Sequence, residues 1–264
     1  MEFFQAIVLA IIQGLTEFLP VSSAAHLILA PVLLGWEDQG LAFDVATHIG
    51  SLGAVMLYFR QDLARMTTSV IRTRGRPAEP ETRLFWWVVI GTIPAGLAGL
   101  LLAGTVATTL RAPLVIACTT IIFALALAWA DRKGGGLRSE WQITWRDALM
   151  IGCAQAIALI PGTSRSGITM IAGLMVGLSR EGAARFSFWL SMPIIALAGA
   201  YSTLKLVASD TTVDWAVLAV GVVASFGAAY LCVAAFLALI ARIGFMPFVI
   251  YRLVLGVVLF ALFL

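Results

Sequence analysis

Charge is scarce in this sequence. Only 12% of its 264 residues are Asp, Glu, Lys or Arg and 61% are hydrophobic, whereas a soluble domain carries about 25% charged residues. A single water-soluble core cannot hide that much apolar sequence, so an ordinary soluble globular protein is excluded. Lys and Arg are missing altogether before Arg60. The N-terminus therefore lacks the basic segment of a cleaved signal peptide and reads as part of the mature fold. Cysteine is sparse as well. Cys118, Cys153 and Cys232 stand singly in apolar stretches, with neither disulfide nor thiolate-metal spacing, and read as small core or lipid-facing side chains. The net charge of +3 sits in a few loops, which argues against a nucleic-acid patch.

What the sequence does have is long apolar runs near the roughly 20 residues that span a bilayer. Six segments qualify as crossings: about 42–60, 84–104, 112–130, 183–206, 214–240 and 247–263. Two further stretches, 3–34 and 146–178, are apolar but interrupted halfway, by Leu19-Pro20-Val21-Ser22-Ser23 and by Ile160-Pro161-Gly162-Thr163-Ser164. Proline beside hydroxyl residues breaks a helix and frees backbone groups, which at membrane depth must be buried in protein or face a wet cavity. Both stretches are therefore expected to be re-entrant helix-loop-helix hairpins.

Laying Pro20 on Pro161 gives a repeat: a first half over 1–131, a cytoplasmic connection over 132–144 and a second half over 145–264. Each half holds one hairpin and three crossings. An odd number of crossings turns the second half upside down, giving an all-α membrane protein with an inverted-topology repeat whose hairpin tips meet near the midplane. Basic residues orient it. Thirteen Lys and Arg lie in connections on one side, against Arg111 and Lys205 on the other. By the positive-inside tendency, loops 60–84 and 131–146 are cytoplasmic and both termini lie outside.

The first polar motif runs from Gln13 to His26. Gln13 and Glu17 share a helix face, and a carboxylate at that depth must be paired, protonated or cation-bound; a plain structural bridge between the hairpins is the competing reading. Ser23 and His26 are three apart, the spacing of a nucleophile and base or of two phosphate ligands. A packing role for His26 competes, and Ser22 reads equally as a helix cap.

The second motif is Pro161-Gly162-Thr163-Ser164-Arg165-Ser166-Gly167-Ile168-Thr169. Free amides at a helix start, hydroxyl donors and an arginine fork together suit an anion, above all phosphate. Arg165 could alternatively serve only as a structural partner of Glu17. A pyrophosphate beside Glu17 would be repelled without a bridging cation, so Mg²⁺ or Ca²⁺ held by Glu17 and Gln13 is implied. Asp44 and His48 read as an interfacial pair, Arg252 as a residue snorkelling from the last crossing, and 72–81 as a loop without chemistry.

Together these residues, with Gly244-Phe245-Met246-Pro247-Phe248 and Tyr251-Arg252, resemble the bacterial undecaprenyl-pyrophosphate phosphatase (bacitracin-resistance) family along the whole chain. The resemblance implies hydrolysis of undecaprenyl diphosphate to undecaprenyl phosphate and inorganic phosphate at the outer face of the bacterial inner membrane. By position, Gln13 and Glu17 match its acidic motif, Ser23 and His26 its catalytic loop, and Ser164, Arg165, Ser166 and Thr169 its phosphate loop, with Ser22, Gly162 and Thr163 beside them. Gln13 stands where many relatives carry glutamate, and Ala24 where many carry a hydroxyl. Ser23, His26 or a metal-bound water could each be the nucleophile. The partners implied are a polyprenyl diphosphate and membrane lipids, with a homodimer left open. A polyprenyl-phosphate flippase or anion-coupled transporter is the rival class, since broken helices meeting at a midplane also suit carriers.

Overall fold

A computed structural model describes residues 1–109, 113–208 and 214–263; Arg111 lies outside them. The described residues form helices and no named strand. Six helices are long and apolar enough to cross a membrane: α3 (Gly40–Tyr58), α5 (Pro80–Thr109), α6 (Pro113–Lys133), α9 (Arg180–Val207), α10 (Trp215–Ile243) and α11 (Met246–Phe263). Each falls on one of the six expected segments. The chain is a multi-pass, all-α membrane protein.

The two interrupted stretches are broken as proline chemistry requires. The first gives α1 (Phe3–Phe18) and α2 (Ser23–Leu34), and the second gives α7 (Trp145–Ile157) and α8 (Arg165–Met175). At 1.5 Å per residue none reaches the roughly 30 Å of a hydrocarbon core. Leu19, which precedes Pro20, is extended at φ −74°, ψ 148°, because the proline ring disfavours the helical conformation before it. The second helix of each pair starts after a serine with positive φ, Ser22 at 73° and Ser164 at 70°. Two strained non-glycine residues at matching points are the clearest structural echo between the two broken stretches. The echo pairs Ser22 with Ser164, whereas proline alignment pairs Ser22 with Thr163; the second loop holds one more residue between its proline and its serine.

One helix was hidden by its charge. The arginine-rich stretch after α3, expected to be loop, forms α4 (Arg60–Arg72). Leu63, Met66 and Val70 recur at helical spacing and turn inward, with Met66 buried, while the arginines face out. The helix stops at Arg74 and Gly75, both with positive φ.

Close backbone approach holds the spans together, as expected where lipid removes most of the hydrophobic drive. Gly14 of α1 and Gly50 of α3 both rest on Ser225 of α10. A Cβ on Gly14 would lie 2.5 Å from the Ser225 carbonyl, and one on Gly50 2.1 Å from its hydroxyl. Gly91 of α5 and Gly152 of α7 meet likewise, with 2.3 Å from a Gly152 Cβ to the Gly91 carbonyl. Between these seams lies an aromatic core in which Phe18 stands edge-on to Phe188 at 5.4 Å and Phe59 to Trp189 at 5.8 Å. On the arginine-rich side, Arg185 bonds Asp62 at 2.8 Å and Glu140 at 2.6 Å, fastening α4 and the segment between α6 and α7 to α9. Arg180 holds Asp131 at 2.6 Å.

Gly50→Ala should cost about 1–3 kcal/mol through overpacking. It should lower the thermal midpoint in detergent, while Gly199→Ala, where an added Cβ meets nothing within 4 Å, should leave it unchanged.

Candidate active site

The site grows from the end of α1. Gln13 and Glu17 sit one turn apart on its inward face, both buried. A carboxylate at a helix C-terminus faces the negative end of the dipole, and burial removes water from it, so it needs donors from elsewhere. Three arrive. Gln13 Nε2 donates to Glu17 Oε2 at 2.9 Å, Ser23 Oγ donates to the same oxygen at 3.0 Å, and Arg165 donates to Oε1 at 2.9 Å. Ser23 is the first residue of α2 and Arg165 the first of α8. The starts of two half-helices therefore converge on one carboxylate.

Loop two is seated by several contacts. Thr119 Oγ1 donates to the Pro161 carbonyl at 2.6 Å, and Ser166 Oγ donates to the Leu19 carbonyl of loop one at 2.7 Å. Gly162 has φ 88°, and a Cβ there would lie 2.2 Å from Thr119 Oγ1, so only glycine lets the loop approach α6 this closely. Ser164 caps α8 by accepting from the Gly167 amide at 3.2 Å. Ser22 makes no such cap on α2, which leaves the first-turn amides there without a side-chain partner from it. Thr169 turns inward to Ser187 Oγ at 2.7 Å, and Thr163 Oγ1 is buried with no hydrogen-bond partner among the described residues.

The expected Ser23–His26 pairing is absent from this arrangement. The Ser23 hydroxyl goes to Glu17. His26 Nδ1 lies 2.8 Å from the Ser22 carbonyl, which can only accept, so Nδ1 carries the proton. Nε2 then accepts from the Tyr251 hydroxyl, and the two rings stack at 5.5 Å and 4°. Spacing along α2 does place serine and histidine near each other, but nearer acceptors and donors on other elements claim both.

Three further residues join the site that spacing alone had left outside it. His48 of α3 was read as interfacial. Its Nδ1 bonds the Asp44 carbonyl at 2.7 Å, and its Nε2 lies 3.2 Å from Gln13 Nε2 and 3.7 Å from Glu17. Both partners of Gln13 Nε2 are acceptors, which settles the amide orientation and leaves Gln13 Oε1 buried with no partner among the described residues. Tyr251 is the second. Arg252 is the third and corrects the snorkelling expectation outright: it is fully buried. Its guanidinium donates to the carbonyls of Thr120 (3.2 Å), Pro20 (3.4 Å), Thr163 (3.0 Å) and Gly162 (2.8 Å). Breaking two helices leaves carbonyls without partners; one five-donor fork answers those of both loops. A lone arginine in an apolar span opposite two broken helices was the available signal.

The donor set for a divalent cation is small. Among the described residues no three His, Cys, Asp or Glu side chains cluster. Glu17 and the unpartnered Gln13 Oε1 suit a hard cation that draws its remaining oxygens from substrate phosphates and water.

Arg252→Lys keeps the charge but loses the fork, and Arg252→Met leaves the carbonyls of both loops without a donor. Buried unpaired acceptors cost about 1–3 kcal/mol each. Protease resistance and thermal midpoint should fall in the order wild type, Arg252→Lys, Arg252→Met; an unchanged Met variant would contradict the clamp.

Residues 6–258 match the family described as Bacitracin resistance protein BacA. The chain is 58% identical to a protein of Stutzerimonas stutzeri named Undecaprenyl-diphosphatase 2, covering all of this chain and 99% of that one. It is 56% identical to the Undecaprenyl-diphosphatase of Thioalkalivibrio sulfidiphilus and 55% to that of Nitrosococcus oceani, each over the full length of both chains. With a family match from near its first residue to near its last, and relatives above half identity end to end, this chain belongs to the bacitracin resistance protein family.

Proposed function

We propose that this protein is an undecaprenyl-diphosphatase that hydrolyses undecaprenyl diphosphate to undecaprenyl phosphate and inorganic phosphate, returning the lipid carrier to cell-envelope polymer synthesis. The relatives' names support the activity. The observation that carries the reading is the ion pair of Glu17 with Arg165, flanked by Ser23 and two helix starts.

The diphosphate competes for Arg165, for the first-turn amides of α2 and α8, and for nearby hydroxyls. Once Arg165 turns to the substrate, Glu17 keeps Oε2 on the Ser23 hydroxyl and can act on it as a general base. It takes the proton of Ser23, already hydrogen-bonded to it. Ser23 Oγ bonds to the terminal phosphorus, the bond from that phosphorus to the bridging oxygen breaks, and undecaprenyl phosphate leaves with the electron pair. Water then attacks the serine phosphate while His26 Nε2, released by Tyr251, accepts its proton; Ser23 recovers a proton from Glu17 as inorganic phosphate departs. Gln13 and Glu17 would hold Mg²⁺ or Ca²⁺, which when bound neutralises charge gathering on the phosphates.

The site is proposed to open to the periplasm of the inner membrane, with the two broken stretches dipping in from opposite faces. The arginine distribution and the short helix lengths support this layout. On a background lacking Cys118, Cys153 and Cys232, a membrane-impermeant thiol reagent applied to intact spheroplasts should label Asp38→Cys and spare Arg74→Cys. The reverse labelling would invert the orientation.

In detergent, without any gradient, the purified protein should release phosphate from undecaprenyl diphosphate. Glu17→Gln, Arg165→Ala and Ser23→Ala should each reduce the rate by about 10³-fold or more. Chelation should stop release, and added Mg²⁺ or Ca²⁺ should restore it. Intact substrate crossing liposomes with no phosphate released would favour a carrier instead, and full activity in Ser23→Ala would remove the serine nucleophile.

A further inference from the structure

Away from the active site, α4 and the first turn of α5 border an open groove of about 330 Å³ lined by Ala64, Arg65, Thr68, Ser69, Arg72 and Glu81. Its charges are unusual in their pairing. The other acids nearby are occupied: Asp62 bonds Arg185 at 2.8 Å, and Glu79 takes Arg72 and Ser69, each at 2.6 Å. Arg65 and Glu81 form no ion pair among the described residues, although both line this space. Arg72 engages Glu79 through one terminal nitrogen only, leaving donors of its fork free. Arg65 and Arg72 are two turns apart on one face of α4, about 10 Å along its axis. Two guanidinium groups and one carboxylate therefore face a common groove without closing on one another. That arrangement suits a ligand bearing a phosphate and a cation together.

The position indicates where such a ligand comes from. Phe85 follows Glu81 by one helical turn, and Trp86 beside it donates its indole N–H to the Gly75 carbonyl at 2.8 Å. Aromatic side chains at the start of a span mark the headgroup level of a bilayer. Beyond them α5 runs on as an apolar span, with Ile93, Leu97 and Leu101 pointing outward at 50%, 56% and 81% exposure along an i, i+4 ridge. Basic pockets between helices at this level are recognised lipid-headgroup sites, and the carboxylate adds a demand for a donor-bearing cation.

We propose that this groove binds the phosphoethanolamine headgroup of a membrane phospholipid, with Arg65 and Arg72 on the phosphate and Glu81 on the primary ammonium. The lipid would tie α4 to the first turn of α5 on the arginine-rich side, independently of the chemistry at Glu17.

Native mass spectrometry of the full-length protein, titrated with phosphatidylethanolamine, phosphatidylglycerol or phosphatidylcholine, tests this directly. Wild type should retain phosphatidylethanolamine about tenfold or more tightly than either other lipid, a factor worth about 1.4 kcal/mol. Arg65→Gln should lose retention of all three lipids to the same low level. Glu81→Gln should keep the phosphate contact, lose the ethanolamine preference and bind phosphatidylglycerol as well as phosphatidylethanolamine. Equal binding of the three lipids by wild type would overturn the proposal, as would a Glu81→Gln protein that still prefers phosphatidylethanolamine. Thermal midpoint and phosphate release should match wild type in both variants, showing that any change in retention is not unfolding.

Discussion

A carboxylate buried at the C-terminal end of a short helix is the constraint around which this protein is arranged. Glu17 has the dipole of α1 against it and little water to solvate it, so removing one donor would leave a charge that burial penalises by several kcal/mol. Its donors come from three places in the chain: Gln13 one turn earlier, Ser23 across loop one, and Arg165 from the start of α8, 148 positions away. Satisfying one charge thus fixes the separation of α1 from α2 and brings α8 against both. The same arrangement suits an anionic substrate, because the cation that neutralises Glu17 is also the group a diphosphate would claim.

Breaking two helices to reach this point creates a second need. Carbonyls at the breaks have no intrahelical partner, and in an apolar setting water cannot serve all of them. Arg252 from the last span answers loops one and two together, and Thr119, Thr120 and Ser166 supply further donors. Arg252 has carbonyls as its hydrogen-bond partners rather than a carboxylate, so its charge remains available to the proposed phosphate site between the loops. Gly162 and Gly167 keep that region tight: a Cβ on Gly167 would lie 3.0 Å from the Arg252 guanidinium.

Much of this was legible beforehand for simple reasons. Length and apolarity mark the six spans because a bilayer sets a minimum length, and Pro20 and Pro161 mark the breaks because a proline lacks the donor a helix needs. Glu17, Ser23 and Arg165 stood out as polar groups in apolar sequence. Helix α4 did not, since its many arginines mask an apolar stripe of only three residues. His48, Tyr251 and Arg252 also escaped, each being an ordinary polar residue near a span end until another element is placed beside it.

From the sequence alone came membrane residence, the number of spans, the two break points and the short set of polar residues able to handle phosphate, all of which depend on neighbours within a few turns. The tertiary structure decided where the protons and charges go: Ser23 to Glu17 instead of His26, His26 to Tyr251, and Arg252 inward to both loops. Those choices depend on distances of about 3 Å between residues as far apart in the chain as Glu17 and Arg165, separated by 148 positions, and hydrogen bonding is decided at that range.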